Sequence, residues 1–356
     1  MKGSLHVILL LFFSVNVFSQ NSVDTISVEI NSSKNIDSTI KIFEGKNVTI
    51  DTTGYQTYPY NKGRIKLVTI ANAVGYGGTM VGLYSAWYSN YPQSSFHFFD
   101  DNNEWKQVDK VGHGYSAYIE SYGSTEMWRW AGFNRRKAAV IGSLSSLAYQ
   151  TIIETLDGFS SEWGWSWGDM SANVFGSGLF LGQELAWGEQ RIKYKFSFHR
   201  KDYGNTDLNR RADFLYGSSL QERMIKDYNG QTYWLSANLK SFFPKSNLPP
   251  WLSVAFGYGG EGLFGAVENY GKDSQGNAFD RRDIPRYRQY YVSPDIDLTK
   301  IKTKSRFLKL TLGVLNAFKF PMPSLEYNSQ GKFKFHLLHF WAKIESLVTD
   351  SYLMKN

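Results

Sequence analysis

The chain has 356 residues, a formal net charge of +7 and an aromatic content of 17%, and this length suffices for one or two domains with cores of their own. It contains no cysteine, which excludes disulfides, thiol catalysis, cysteine metal sites and a lipid-modified N-terminal cysteine. The mild basic excess favours contact with anionic lipid or glycan over nucleic acid.

The N-terminus has the features of a secretory signal peptide. Lys2 supplies a positive start, an apolar run covers Val7–Phe13, and Ser19 is a small residue suited to the position before a cleavage site. The apolar run is too short to span a bilayer. We therefore predict a signal peptide over residues 1–19 and export to the periplasm, which argues further against a nucleic-acid partner. Residues 20–64, rich in Ser, Asn, Asp and Thr, are predicted to form a weakly ordered polar lead-in.

Residues 65–188 are predicted to form a bundle of about four helices. The first, at about Leu67–Tyr88, is predicted to be buried or adjacent to a membrane because it is almost free of charge. The second follows the N-cap cluster Asp100–Asn103. It carries apolar residues spaced alternately three and four apart, from Trp105 to Tyr122. The third helix, mostly small and apolar, is predicted at about Ala138–Leu156, and the fourth at about Gly168–Trp187.

After Trp187 the hydrophobic period falls from 3.6 to 2, which predicts an antiparallel, aromatic-rich β region over residues 189–356. The predicted strands lie at Ile192–Phe198, Tyr233–Leu239 and Leu252–Tyr258, with weaker ones at Tyr290–Leu298 and Lys332–His339. Residues 259–286 are predicted to be a long loop, and Thr303–Ala317 a basic amphipathic helix. The fold class is therefore α+β, and the β region fits either an outer-membrane barrel or half-barrel or a soluble sheet.

Each of the last three predicted helices carries one polar line, and a bundle can bring such lines together. Their candidate site residues are Asp109, Lys110, His113, Glu154, Asp157, Asp169 and Asn173. Asp109 and His113 are one helical turn apart, so a carboxylate could orient an imidazole. Lys110 points about 100° away from Asp109 and is predicted to lie at a surface or to bind a phosphate.

Two interpretations of these polar residues stay open. His113, Glu154 and Asp109 fit a catalytic acid–base group, with Lys110, Asp157, Asp169 and Asn173 in binding roles. Equally, each residue alone fits a structural role, as when Ser166 caps the helix that contains Asp169. Whether a metal ion or a cofactor binds is left undecided, because one helical histidine is a weaker signal than a two-histidine motif. The sequence has no nucleophile elbow, phosphate-binding glycine loop or zincin motif.

Two segments carry a family resemblance: FHFFDDNNEWKQVDKVGHGYSAY and IIETLDGFSSEWGWSWGDMSANVFGSGL. Over about residues 83–185 the chain resembles the uncharacterised YfiM-like family of periplasmic lipoproteins. The series D-K-x-x-H, E-x-x-D and D-x-x-x-N-x-x-G is more distantly similar to VanZ-like membrane proteins, which are associated with glycopeptide resistance. The resemblance implies an envelope location and a helical bundle, without a known activity. It places the shared positions at Asp109, Lys110, His113, Glu154, Asp157, Asp169, Asn173 and Gly176. The chain departs from the lipoprotein pattern because it has no cysteine.

These observations predict an exported envelope protein at or near the outer membrane that binds a lipid, a glycan or an envelope partner. The alternative is a hydrolase or transferase that acts on a lipid or cell-wall precursor through His113 and Glu154. A short distance between these two side chains, with access from solvent, would favour the enzyme.

Overall fold

A computed structural model describes residues 49–50, 56–86 and 92–338. The predicted signal peptide and most of the polar lead-in lie outside the described residues. The described part of the lead-in comprises residues 58–64 and strands β1 (Thr49–Ile50) and β2 (Gln56–Thr57), which pair with each other. The chain divides into two compact units. The first comprises the described residues up to Pro92, Glu120–Ile153 and Ser177–Gln190, and the second comprises Gln93–Ile119, Glu154–Gly176 and the described residues from Arg191 onwards.

Four long helices are present in the predicted helical region. They are α1 (Lys62–Ala86), α2 (Val108–Trp130), α3 (Arg135–Gly158) and α4 (Trp167–Ala186). The prediction of about four helices is therefore confirmed, although α1 begins earlier than expected. Among the described residues, no helix combines the length and the apolar character that crossing a membrane requires.

The first unit has a core with many polar side chains. The rings of Tyr76 and Tyr149 stack with centroids 4.6 Å apart, and the buried Glu120 carboxylate accepts hydrogen bonds from Gln150 and Ser146 at 3.0 and 3.1 Å. These partners satisfy a carboxylate that would otherwise be costly to bury. The interior of the unit is therefore held together by a hydrogen-bonded network as well as by apolar contacts.

The β region is a single six-stranded antiparallel sheet with a small separate hairpin. Its strands are β3 (Ile192–Phe198), β4 (Gln231–Asn238), β5 (Leu252–Glu261), β8 (Tyr287–Ile296), β9 (Ser324–Asn328) and β10 (Phe333–His336), in the spatial order β10-β9-β8-β5-β4-β3. The predicted α+β class is confirmed. Within the described residues the sheet is open, with β10 and β3 at its edges.

Several short elements of the β region were not predicted. These are helices α5 (Thr206–Tyr216), α6 (Leu220–Lys226) and α7 (Leu239–Phe242), and strand β9. The segment predicted to be a long loop carries the hairpin of β6 (Tyr270–Lys272) and β7 (Ala278–Asp280). The predicted basic helix is present as α8 (Arg306–Leu315), shorter than expected at both ends. Elements of this length carry too few residues for a reliable periodic signal.

One face of the sheet is apolar and exposed across its outer strands. Seven side chains on this face have 42–69% of their surface exposed: Phe256, Tyr290, Val292, Leu325, Tyr327, Phe333 and Phe335. The strand register aligns Phe256, Val292, Leu325 and Phe335 in one row across four strands. The opposite face is buried and carries a small apolar cluster, Trp234, Ala255 and Tyr291, among many polar side chains: Ser253, Ser293, Asp295, Ser324 and Glu326. This polarity is the reverse of a soluble sheet, where the apolar face is the buried one.

At the other edge of the sheet, the same apolar face is covered by the first part of α2. The Tyr115 ring lies against Tyr194, Phe196 and Tyr233, with centroids 5.7–5.8 Å away. The Tyr194 hydroxyl donates to the Val111 carbonyl at 2.8 Å. These contacts fix the position of the α2 segment that carries the polar cluster.

Candidate functional site

Three helices bring the predicted polar residues together in the second unit. Helix α2 supplies Asp109, Lys110 and His113, the last turn of α3 supplies Glu154, and the first turn of α4 supplies Asp169. The helices approach closely because both α2 and α4 have glycines there: a Cβ on Gly176 would lie 2.0 Å from the Gly114 carbonyl oxygen. The predicted convergence of the polar lines is confirmed.

Lys110 lies at the centre of a carboxylate group. Its Nζ is 2.8 Å from Asp101, 3.3 Å from Asp109 and 3.1 Å from Asp169, and its side chain is buried. The prediction that Lys110 lies at a surface is therefore wrong, because the flexible stem lets the ammonium reach back to these partners. Phosphate binding by Lys110 stays a prediction. Burial alone would lower the pKa of Lys110, but the three aspartates raise it above its usual value.

His113 lies between two carboxylates and remains partly open to solvent. Its Nδ1 is 3.5 Å from Glu154 Oε1 and its Nε2 is 4.0 Å from Asp169 Oδ1. The side chain is 27% exposed, whereas the Glu154 side chain is 1% exposed. Burial opposes the charge on the imidazole, but Asp169, Glu154, Asp109 and Asp157 together raise the pKa of His113. The ring therefore favours its protonated form.

The neighbouring carboxyl groups differ strongly in their affinity for protons. Burial raises the pKa of Glu154 to about 8, against the lowering effect of His113. Burial likewise raises the pKa of Asp109 to about 6. Asp101 and Asp169 share a hydrogen bond; burial raises the pKa of Asp101, while His113 and Lys110 lower that of Asp169 in spite of burial. Asp169 is thus the ionised member of this pair.

Several buried polar atoms of the cluster have no hydrogen-bond partner. Neither Oδ1 nor Nδ2 of Asn173 is partnered, although the residue is fully buried. Asp109 Oδ1 and Glu154 Oε1 are also unpartnered. Buried polar groups are normally satisfied, and exceptions call for a specific explanation. Ordered water or a bound ligand would satisfy these atoms.

Asp101 and Ser166 are members of the cluster that were not predicted as site residues. The Ser166 hydroxyl donates to Asp101 Oδ1 at 2.6 Å and accepts from the Asp169 backbone N–H at 3.1 Å, so its predicted capping role is confirmed. Asp101 had been assigned to an N-cap, but α2 begins only at Val108, after a 3₁₀ turn at Glu104–Gln107. The run of acidic and amide residues before α2 was the sequence feature from which Asp101 could have been predicted as a site residue.

The 3₁₀ turn before α2 is an unusual piece of backbone. Trp105, Lys106 and Gln107 have positive φ angles of 44°, 53° and 64°, which non-glycine residues rarely adopt and which cost about 1–2 kcal/mol each. Partners on both sides hold it: the Trp105 ring packs against Tyr228, and the Gln107 side chain accepts a hydrogen bond from Arg288. This turn directs the chain from Asp101 into the helix that carries His113.

The arrangement supports two kinds of chemistry. An accessible imidazole beside a buried carboxyl group can transfer protons. Alternatively, one ligand atom from each of His113, Glu154 and Asp169 lies within 4.8 Å of the others, as do those of Asp101, Asp109 and Asp169, so either triad has the spacing of a metal site.

The residues of both triads lie in a segment that matches a known family. Residues 97–181 match the family described as predicted periplasmic lipoproteins (DUF2279). The predicted resemblance to uncharacterised periplasmic lipoproteins is confirmed for this segment. It supports a location in the periplasm and the cell envelope. The similarity to VanZ-like proteins stays a prediction. Neither the curated proteins nor the solved structures contain a significant match to the chain.

Proposed function

We propose that this exported envelope protein attaches to the outer membrane and binds lipid there through the exposed apolar face of its sheet. The observation that carries the proposal is the reversed polarity of strands β5, β8, β9 and β10. Most of their large exposed side chains are aromatic or aliphatic, and most of their buried side chains other than Ala255 and Tyr291 are polar. Alternation of this kind is typical of strands that face lipid on one side.

The buried polar face explains how the sheet tolerates this reversal. Asp295 accepts a hydrogen bond from Ser236 at 2.6 Å and pairs with Lys195 at 2.8 Å. Glu326 contacts His336 at 2.7 Å and accepts from Gln289 at 3.2 Å. Because these groups satisfy one another, they do not need water, and the apolar face is left as the outward surface.

Among a lipid, a glycan and a protein partner, lipid fits this surface best. A glycan would require hydrogen-bond donors and acceptors, whereas the row Phe256, Val292, Leu325 and Phe335 presents hydrocarbon alone. Monomeric soluble proteins rarely expose a contiguous apolar patch of this kind. The tyrosines of the neighbouring row, Tyr290 and Tyr327, suit a membrane interface. The net charge of +7 favours anionic lipid.

Flotation with vesicles of phosphatidylethanolamine and phosphatidylglycerol tests this proposal. We expect the wild-type protein to float with the vesicles and the double variant Leu325→Asp/Phe335→Asp to remain at the bottom of the gradient. Leu144→Asp is the matched control, because Leu144 is an exposed leucine on α3 instead of the sheet, and it should float normally. Circular dichroism verifies folding. Failure of the wild type to bind, or equal loss in the control, would contradict the proposal.

A second candidate function is a hydrolase or transferase that acts on a lipid or cell-wall precursor. It is favoured by the 3.5 Å separation of His113 Nδ1 and Glu154 Oε1 together with the partial exposure of His113, since a catalytic pair must be within reach of both substrate and each other. His113→Gln and Glu154→Gln should each abolish complementation of a deletion strain in protein that still folds. The double variant should be no worse than either single one, because residues that act as a unit are non-additive. Additive losses that follow stability would instead show a structural role.

A further inference from the structure

Of the two triads with metal-site spacing, one has all three carboxylates paired with an internal cation, whereas in the other only Asp169 contacts that cation, at 3.1 Å. In the triad Asp101, Asp109 and Asp169, each carboxylate already pairs with Lys110 Nζ at 2.8–3.3 Å. In the triad His113, Glu154 and Asp169, the ring nitrogens lie 3.5 and 4.0 Å from the carboxylate oxygens, which is too long for good hydrogen bonds. One ring nitrogen of His113 and one oxygen from each carboxylate lie within 4.8 Å of one another, so small side-chain shifts would bring them to the spacing of ligands with metal bonds of about 2.0–2.2 Å.

A second observation, independent of the triad, is the unpartnered Asn173 side chain. Asn173 follows Asp169 by one helical turn and precedes Gly176 by three residues on α4, so all three lie on one helix face. Asp169 on that face approaches His113, and Gly176 approaches Gly114. The carboxamide between them is therefore directed towards the same stretch of α2. It is fully buried with both polar atoms unpartnered, as a fourth oxygen ligand or a partner for metal-bound water would be.

The charge of the cluster points in the same direction. Five carboxyl groups, those of Asp101, Asp109, Glu154, Asp157 and Asp169, act on one another or on His113, and Lys110 is the cation paired with three of them. Buried carboxylates are normally paired or coordinate a metal. Glu154 Oε1, the oxygen that faces His113, has no hydrogen bond.

We propose that His113, Glu154 and Asp169 bind one divalent transition-metal ion, Zn²⁺ or Mn²⁺, with Asn173 beside it. One imidazole and two carboxylates form a mixed nitrogen and oxygen donor set that suits these ions, whereas Ca²⁺ and Mg²⁺ prefer oxygen alone. The partly exposed side of His113 provides the entry path. Three protein ligands leave a position open for water or substrate, as in catalytic sites. This inference does not depend on membrane attachment. If the second candidate function holds, the ion would act as its Lewis acid and the two residues as ligands.

Metal uptake by the purified full-length chain tests the site directly. The protein is freed of metal with EDTA, dialysed, and titrated with ZnCl₂ and MnCl₂ by calorimetry, with metal content measured by mass spectrometry. We expect one ion per chain, and affinity lowered by about tenfold or more in His113→Gln and Asp169→Asn, since even groups behind the ligands contribute that much. His336→Gln is the matched control, because His336 also contacts a buried glutamate, Glu326, at 2.7 Å; its affinity should equal that of the wild type.

Three results would overturn the inference: no uptake by folded wild-type protein, wild-type affinity in His113→Gln, or an equal loss of affinity in His336→Gln. Should Asp169→Asn fail to fold, the partly exposed His113 decides the question alone. Near-ultraviolet circular dichroism establishes the folded state of each variant. Vesicle flotation of the metal-free protein is scored separately, so failure of the metal site and failure of membrane attachment are distinguishable.

Discussion

Replacing Glu154 by glutamine should change how the stability of this protein depends on pH. Burial raises the pKa of Glu154 from 4.5 to about 8, so the folded chain keeps a proton that the unfolded chain releases. Stability from this group is therefore lost as pH rises from 4.5 towards 8. The difference between the two pKa values limits the total loss of stability to about 5 kcal/mol, and about 2–3 kcal/mol of that loss occurs between pH 5 and pH 7. Glutamine resembles the protonated acid and cannot ionise, so the variant should escape most of this loss.

Urea unfolding at pH 5, 6, 7 and 8 in the presence of EDTA measures the effect. Wild type and Glu154→Gln should be similar at pH 5, and the variant should become the more stable protein by about 2–3 kcal/mol at pH 7. The free energy of unfolding should still decrease with rising pH in the variant, as in the wild type, because the raised pKa values of Asp109 and His113 have the same effect as that of Glu154. Parallel pH profiles for the two proteins would refute the reasoning.

Glu326→Gln is a control with the opposite sign. Glu326 is also buried next to a histidine, but the hydrogen bond from His336 and that from Gln289 lower its pKa in spite of burial. A lowered carboxyl pKa contributes stability that is present above the unfolded value and lost as pH falls. Glu326→Gln should therefore be less stable than the wild type at pH 7, and the difference should not shrink as pH rises from 5 to 7.

Three further variants test the packing and charge of the cluster by urea or thermal unfolding at pH 7. Gly176→Ala should destabilise the folded protein by about 1–3 kcal/mol, because the added Cβ would lie 2.0 Å from a backbone oxygen. In the control Gly178→Ala the Cβ would enter open space, so that variant should be as stable as the wild type or more stable by up to about 1 kcal/mol. Equal effects of the two substitutions would contradict the close approach of the helices. Lys110→Met should destabilise the folded protein by about 3–5 kcal/mol, since it leaves buried carboxylates unpaired. The difference in stability from the wild type should decrease at low pH, because protonation neutralises those carboxylates. Asn173→Leu should stabilise the metal-free protein by about 1–3 kcal/mol by removing unpartnered polar atoms; a loss of stability would show that the amide is satisfied.

Local spacing accounts for the parts of the cluster that the sequence could predict. Asp109 and His113 share one helix face by their separation alone, and the capping role of Ser166 follows from its distance to Asp169. The environment of Lys110 could not be read in the same way. Its direction from the helix axis suggests a surface, but its ammonium is captured by Asp101, which lies before the helix, and by Asp169 on another helix. Such contacts depend on how separate segments meet.

The same division holds for the sheet. The period of two in segments such as Ile192–Phe198 and Leu252–Tyr258 by itself determined that they are strands and that their faces differ in polarity. It did not determine which face is buried, because alternation is identical for either choice. Only the tertiary structure decided this, by placing Asp295 and Glu326 where Lys195 and His336 satisfy them. Once those charges are paired inside, the apolar side chains of the outer strands have no interior left to fill, and they remain on the surface.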